Sequence, residues 1–302
     1  MKDNFTRFNF MKYRNLCFAV SFVCMFLSIV FLIWRGLNWG LDFTGGTVVE
    51  VEYPNGVVLN DVRSALADGG FEETIVQYFG NPNTVLVRLG ERFTAGRGDD
   101  VFTVLQQADN QVELRRIEFI GAQVGEELQE KGGIGMLLAL CIMLIYIAFR
   151  FQLKFAAGAL LALFHDVLLT LGIFSLFQLE FNLSVLAAIL AVIGYSLNDT
   201  LVISDRIREN FVNLRIDDVT EIVNTSLRQV FGRTLVTSLT TLFVLLCLWI
   251  FGGEGLKNFS IALTIGVVIG TYSSIYISSS LLLYLKIKRE DMVLDKSEKY
   301  LP

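Results

Sequence analysis

Histidine, cysteine, proline and charge are all scarce in this 302-residue chain, which has one histidine, four cysteines, three prolines and 18% charged residues. Each scarcity removes a class of protein. The cysteines, Cys17, Cys24, Cys141 and Cys247, all fall inside apolar runs, which excludes a disulfide framework and a metal centre built from spaced thiolates. They read as small buried hydrophobes. The shortage of proline and charge excludes a disordered chain, and 53% hydrophobic residues with a mean hydropathy of +0.55 exclude a soluble domain. Neither a Gly-Lys phosphate loop nor a paired nucleophile and base occurs, so ATP is not the direct energy source and enzymatic catalysis is not expected. No cofactor is implied, and the basic residues sit where membrane topology needs them rather than as a nucleic-acid footprint. What remains is an integral membrane protein. Its net charge of −5 carries meaning only once the charges are placed on either side of the bilayer.

The apolar runs make six candidate spans. Residues 1–15 carry Lys2, Arg7, Lys12 and Arg14 and lead into an apolar run over 16–34, about the length that crosses a bilayer as a helix. That run is longer than a signal-peptide core, and the following RGLNWG lacks a small-x-small cleavage site, which predicts an uncleaved signal anchor with a cytoplasmic N-terminus. Residues 133–285 hold five further runs, at roughly 133–149, 155–177, 183–203, 235–251 and 259–285. Arg150, Lys154, Arg206, Arg208, Arg215, Arg228, Arg233, Lys286, Lys288 and Arg289 occupy one set of connections, while the opposite short loops contribute only Lys257. By the positive-inside rule, both termini and the 286–302 tail are expected in the cytoplasm and residues 36–131 in the periplasm.

Residues 36–131 contain no run long enough to span. Alternation predicts strands at Thr47–Tyr53, Thr74–Phe79, Thr84–Leu89 and Gln111–Ile120, with helices at Leu59–Ala67 and Asp99–Ala108 and a turn at Gly80–Asn83. The order β-α-β-β-α-β predicts a small extracytoplasmic α+β domain of the ferredoxin-like kind. With no histidine or cysteine there, nothing in it resembles a catalytic or metal site.

Two rows of small residues bear on how the spans pack. Gly266, Gly270, Ser274 and Ser278 recur every four residues in the sixth run, and Ala187, Ala191, Gly194 and Asn198 do nearly the same in the fourth. Such rows let helix backbones approach closely in lipid, which predicts a compact bundle.

Ionisable groups inside apolar spans are the strongest functional signal, because each costs about 2.5–3.5 kcal/mol at a helix centre on insertion scales. Asp166, beside His165, falls near the middle of the third span, on one face with Ala159, Ala162 and Thr170. Asp199 lies toward the cytoplasmic half of the fourth, with Tyr195 one turn before it. Arg233 opens the fifth, followed by a polar row of Thr237, Thr240 and Thr241. Opposite chain directions bring Asp199 and Arg233 to similar depths, and a helix movement that changes their separation could load and release a proton. Plainer readings stand beside this one: Arg233 as a snorkelling anchor, Asp199 as a static packing bond, His165 as a packed side chain, and Asp205 to Glu209 as a solvated helix end.

Five segments, LNWGLDFTGGT (37–47), GAQVGEEL (121–128), HDVLLTLGIFSL (165–176), GYSLNDTLVISDRIREN (194–210) and GRTLVTSLTT (232–241), together resemble the SecF family of the bacterial Sec protein-export machinery. The resemblance implies half of a resistance-nodulation-division-type unit, completed to twelve spans by SecD, and association with the SecYEG channel, YajC and YidC. It implies use of the proton motive force to complete export of a translocating polypeptide across the bacterial inner membrane. The family's proton-conduction positions match Asp199 and Arg233 here, and the aspartate of its HD motif matches Asp166. Gly45 and Gly46 stand where the chain enters the first strand, as a hinge or as a tight turn. A proton-driven small-molecule or lipid efflux half-pump of the same superfamily and a stabilising scaffold are the competing functions.

Overall fold

The computed structural model describes residues 8–71, 74–79, 81–89, 96–214 and 216–288. The expected features at Lys2, Arg7, Gly80, Arg215, Arg289 and the rest of the tail lie outside the described residues. The chain divides into two compact units, one of Trp39–Gly135 and one of Met1–Asn38 with Met136–Pro302.

Among the described residues, six helices are long and apolar enough to cross a membrane: span 1 (Phe10–Trp34), span 2 (Gln123–Arg150), span 3 (Leu153–Phe177), span 4 (Leu183–Asn213), span 5 (Val219–Phe251) and span 6 (Gly255–Tyr284). Three of them overrun their apolar stretches by ten residues or more. Span 2 starts near 123 rather than 133, span 4 continues to Asn213 rather than 203, and span 5 starts at Val219 rather than 235. Intrahelical hydrogen bonds need no apolar side chains, so the helix carries on into water. At a 1.5 Å rise, 31 residues extend roughly 47 Å against the ~30 Å hydrocarbon core. The ends are capped by local chemistry. The Asn182 side chain accepts from the Val185 amide at 3.0 Å and that of Asp218 from the Thr220 amide at 2.9 Å.

Burial sorts the spans. Half of the apolar stretch is buried in spans 4 and 6, against 6% in span 2, so spans 3, 4 and 6 form the centre and spans 1, 2 and 5 the margin. The row on span 6 is packed as expected: a side chain at Gly266 would collide with Val192 of span 4, and one at Gly270 would come within 3.0 Å of Ser196. The row on span 4 faces the other way. Ala187, Ala191, Gly194 and Asn198 are exposed, whereas Ala188, Ile189, Val192, Ser196 and Thr200 are buried. One residue turns a helix by 100°, so the larger apolar side chains took the inward face and left the small ones outward.

The smaller unit has strands β1 (Gly46–Glu52), β2 (Thr74–Phe79), β3 (Asn81–Leu89) and β4 (Glu113–Ile120), with helices α1 (Leu59–Asp68) and α2 (Arg97–Ala108). The sheet order is β2-β3-β1-β4, and every neighbouring pair is antiparallel. This is the ferredoxin-like arrangement. Val49, Val51, Val76, Val85 and Val87 from one sheet face meet Val62, Leu66, Val101 and Leu105 from the two helices. β3 begins three residues before the expected Thr84, because the Asn81 side chain accepts from the amides of both Asn83 and Thr84 at 2.8 Å and lets the turn merge into the strand. Gly45 and Gly46 both adopt positive φ, 62° and 110°. The Gly45 amide bonds to the Leu41 carbonyl at 2.9 Å, and any side chain at Gly46 would strike the Leu89 carbonyl. The geometry is that of a tight turn.

Candidate functional site

Spans 3, 4 and 6 meet along a polar seam. Asp166 on span 3 is 1% exposed and His165 fully buried. The Asp166 Oδ1 lies 2.9 Å from His165 Nδ1. Its Oδ2 accepts from Ser273 Oγ of span 6 at 2.8 Å and from Ser196 Oγ of span 4. One carboxyl group thus ties three helices together. Gly270 makes this possible, since a Cβ there would sit 3.0 Å from Ser196 Cβ and 3.5 Å from Asp166 Oδ2.

Further along the seam, Thr200 and Ser274 hydroxyls bond at 2.8 Å. Ser273, Ser274, Ser278, Ser279 and Ser280 are all buried. Within them Ser274–Ser278 winds as a π-helix, and Ser279 Oγ reaches back to the Ser274 carbonyl at 3.3 Å. A single widened turn of this kind breaks the regular ladder and is common where a helix serves a function. The seam continues to span 1 through Tyr272, whose hydroxyl donates to the Cys17 carbonyl at 2.8 Å and lies 3.0 Å from Ser21 Oγ. His165 Nε2 is buried without a hydrogen-bond partner among the described residues.

Asp199 lies three residues after Ser196, on the same inward face of span 4. It is 5% exposed, and its Oδ2 is buried with no hydrogen-bond partner among the described residues. Arg233 of span 5 is the charge that the sequence sets against it. The two form no direct ion pair among the described residues. Instead Arg233 is exposed and lines a cavity of about 370 Å³ with Asp205, Arg206, Glu209 and Gln229. The expected solvated helix end, Asp205 to Glu209, is therefore one wall of the space that Arg233 opens onto. Three of its four charges are matched, Arg206 with Glu209 at 2.6 Å and Asp205 with Arg150 at 2.8 Å.

The threonine row of span 5 is not part of this arrangement. Thr237 and Thr240 are exposed, and each of Thr237, Thr240 and Thr241 bonds back to a carbonyl of its own helix. Span 5 instead turns Thr234 and Ser238 inward. Ser238 bonds Thr271 of span 6 at 2.7 Å and receives a long contact from the Tyr195 hydroxyl at 3.5 Å. Sequence reasoning found both carboxylates and missed the Asp166 partners Ser196 and Ser273 and the neighbouring Thr200–Ser274 bond. Serine spacing in span 6 was a usable signal, but a serine read as a packing residue gives no hint of which hydroxyl meets which carboxylate.

The family described as protein export membrane protein SecD/SecF, C-terminal, matches residues 100–288, and the SecD/SecF GG motif matches residues 30–53. The protein translocase subunit SecF of Pseudomonas aeruginosa is 49% identical, covering 94% of both chains. That of Escherichia coli O157:H7 is 46% identical, covering 97% of this chain and 92% of its own. Among solved structures, SecDF from Thermus thermophilus, titled a translocon-associated membrane protein, superposes with a TM-score of 0.85 at 35% identity. The match covers 95% of this chain and 39% of that longer one.

Proposed function

The chain belongs to the SecD/SecF family of protein-export membrane proteins, and from that premise we propose that it is an accessory subunit of the Sec translocase that, with SecD, uses the proton motive force to complete export. It is a multi-pass membrane protein, and its relatives are named protein translocase subunits. The observation that carries the proton-driven part is Asp199: a carboxyl group buried in a membrane span, with one oxygen unpartnered, close to a charged cavity that Arg233 lines. A group held this way has no fixed partner to lose when it gains or releases a proton. Its protonation can therefore follow whatever the cavity admits. Asp166, bonded to two serines and a histidine, holds the three central helices in the register that keeps Asp199 in place.

Proton flow supplies about 2.3 kcal/mol per charge for each 100 mV of membrane potential, enough to bias a two-state helix arrangement. The exposed row Ala187, Ala191, Gly194 and Asn198 is suited to close approach by a partner's helix, and SecD is the proposed occupant. SecYEG, YajC and YidC are the further proposed partners, with both termini cytoplasmic and the ferredoxin-like domain periplasmic. The test is Asp199→Asn in membranes holding SecD and the channel. The variant is expected to assemble normally and to lose the part of export that depends on the proton gradient. Unchanged gradient-dependent export would remove the proton role. A scaffold would tolerate neutral isosteres at both Asp199 and Arg233, whereas a relay would not.

A further inference from the structure

Spans 4 and 5 run antiparallel, and two contacts fix their register. Asn210 Nδ2 donates to Ser226 Oγ at 2.8 Å, and further along the Tyr195 hydroxyl reaches Ser238 Oγ at 3.5 Å. Asp199 lies one turn after Tyr195 and Thr234 one turn before Ser238, so each stands about 6 Å along its helix from the same contact. The two side chains therefore share a level. They also share a direction. Tyr195, Asp199, Val202 and Arg206 recur at helical spacing on span 4, and Val202 and Arg206 line one cavity with Val230 and Arg233 of span 5. On span 5, Val230, Thr234 and Ser238 make the facing row.

The neighbouring hydroxyls are already engaged. Ser238 bonds Thr271 at 2.7 Å, Thr200 bonds Ser274 at 2.8 Å, and Ser196 and Ser273 donate to Asp166. Thr237, Thr240 and Thr241 turn back to carbonyls of their own helix, a common arrangement for a helical threonine. Thr234 does neither. It is 2% exposed, and its Oγ1, like Asp199 Oδ2, is buried with no hydrogen-bond partner among the described residues. An unmet buried polar atom costs free energy, so two of them on facing helices at one level are relieved together if they meet. The other titratable side chains of this region are occupied elsewhere: Tyr195 with Ser238, Asp166 with His165, and Tyr272 and Tyr276 of span 6 packed together at 5.4 Å. Arg233 opens onto the cavity.

We propose that Thr234 is the hydrogen-bond partner that Asp199 engages when spans 4 and 5 close on each other, its hydroxyl donating to the carboxylate and accepting from the carboxylic acid. A hydroxyl carries one donor and two lone pairs and serves both protonation states, whereas a guanidinium has no acceptor and serves only the ionised one. Thr234 is thus a positioning residue that keeps the buried carboxyl group bonded while its charge changes, and the inference rests on the proton-driven reading of Asp199.

Thr234→Val keeps the shape of the side chain and removes the hydroxyl, and Thr234→Ser keeps the hydroxyl. In membranes holding SecD and the channel, Thr234→Val is expected to lower gradient-dependent export about tenfold and Thr234→Ser to stay within about twofold of the parent. Neither should lower the melting temperature, because the hydroxyl is unbonded in this conformation. Parental export in Thr234→Val overturns the assignment. Equal loss in the serine variant would make volume the determinant, and a matching fall in melting temperature would mark a packing role, and either result overturns it too. Asp199→Asn in the same membranes separates the two readings. Loss there beside parental export in Thr234→Val removes only the role of Thr234, and parental export in both removes the proton role as well. A second measurement needs no export. In infrared spectra of the purified full chain at low pH, the carbonyl band of protonated Asp199, identified by its absence from Asp199→Asn, should move to higher frequency in Thr234→Val and stay in place in Thr234→Ser. A band unmoved by valine overturns the contact. Should valine prevent folding, Thr234→Ala gives the same two readings.

Discussion

Asp166 and Asp199 belong to one bundle and are held in opposite ways. The first accepts from two serines and meets a histidine, and the second keeps a buried oxygen unpartnered. Removing them should therefore have opposite signatures. Asp166→Ala strands His165, Ser196 and Ser273 and is expected to cost about 3 kcal/mol, read as a melting temperature several degrees lower in detergent. Asp199→Asn removes no bond to Oδ2 and should leave the melting temperature close to that of the parent while export coupling fails. Equal thermal loss in the two variants would contradict this division. In the smaller unit, burial first and the Asp109 charge second push the Tyr53 phenol from 10.0 up to about 12. The unfolded chain then releases its phenolic proton at lower pH than the folded one. Stability from this group is full below pH 10 and declines toward pH 12, which alkaline denaturation followed by tyrosine absorbance would register.

Helices and strands differ in how far the sequence announces them. The strands of the ferredoxin-like unit alternate cleanly, so their positions were legible to within about two residues, the exception being the start of β3, where an asparagine side chain extended the ladder by three. Apolar runs located all six spans but understated spans 2, 4 and 5, since hydropathy reports where lipid is and not where the helix ends. The π-helical turn at Ser274–Ser278 left no periodic signature at all. Contacts of elements carry two predictions. Gly266→Leu drives a side chain into Val192 and should separate spans 4 and 6, lowering the melting temperature by the equivalent of about 1–3 kcal/mol. Leu66→Ala empties a fully buried position between α1 and the sheet and should cost about 2–5 kcal/mol, read by faster proteolysis within residues 39–135 while the membrane spans stay protected.

At the scale of the molecule, the central and marginal spans are the useful distinction. Span 2 is almost unburied and span 4 presents its small-residue row outward, so both offer surface for a partner, and Ala191→Cys should form cross-links to SecD in membranes. Cysteine at Ala188, inside the bundle, should form none. Cross-linking from the buried position but not from the exposed one would reverse the assignment of faces. The sequence by itself determined the class of protein, the number of spans, the order of the smaller unit and the identity of the three charged positions, because each depends on composition or on a period that is local along the chain. Only the tertiary structure decided which small-residue row was inside, that Asp166 rather than Asp199 is the knot of the bundle, and that Arg233 opens onto a charged cavity rather than pairing directly with Asp199. Those outcomes depend on how each helix is rotated about its axis, and that rotation is set by packing against neighbours that the chain meets only after folding.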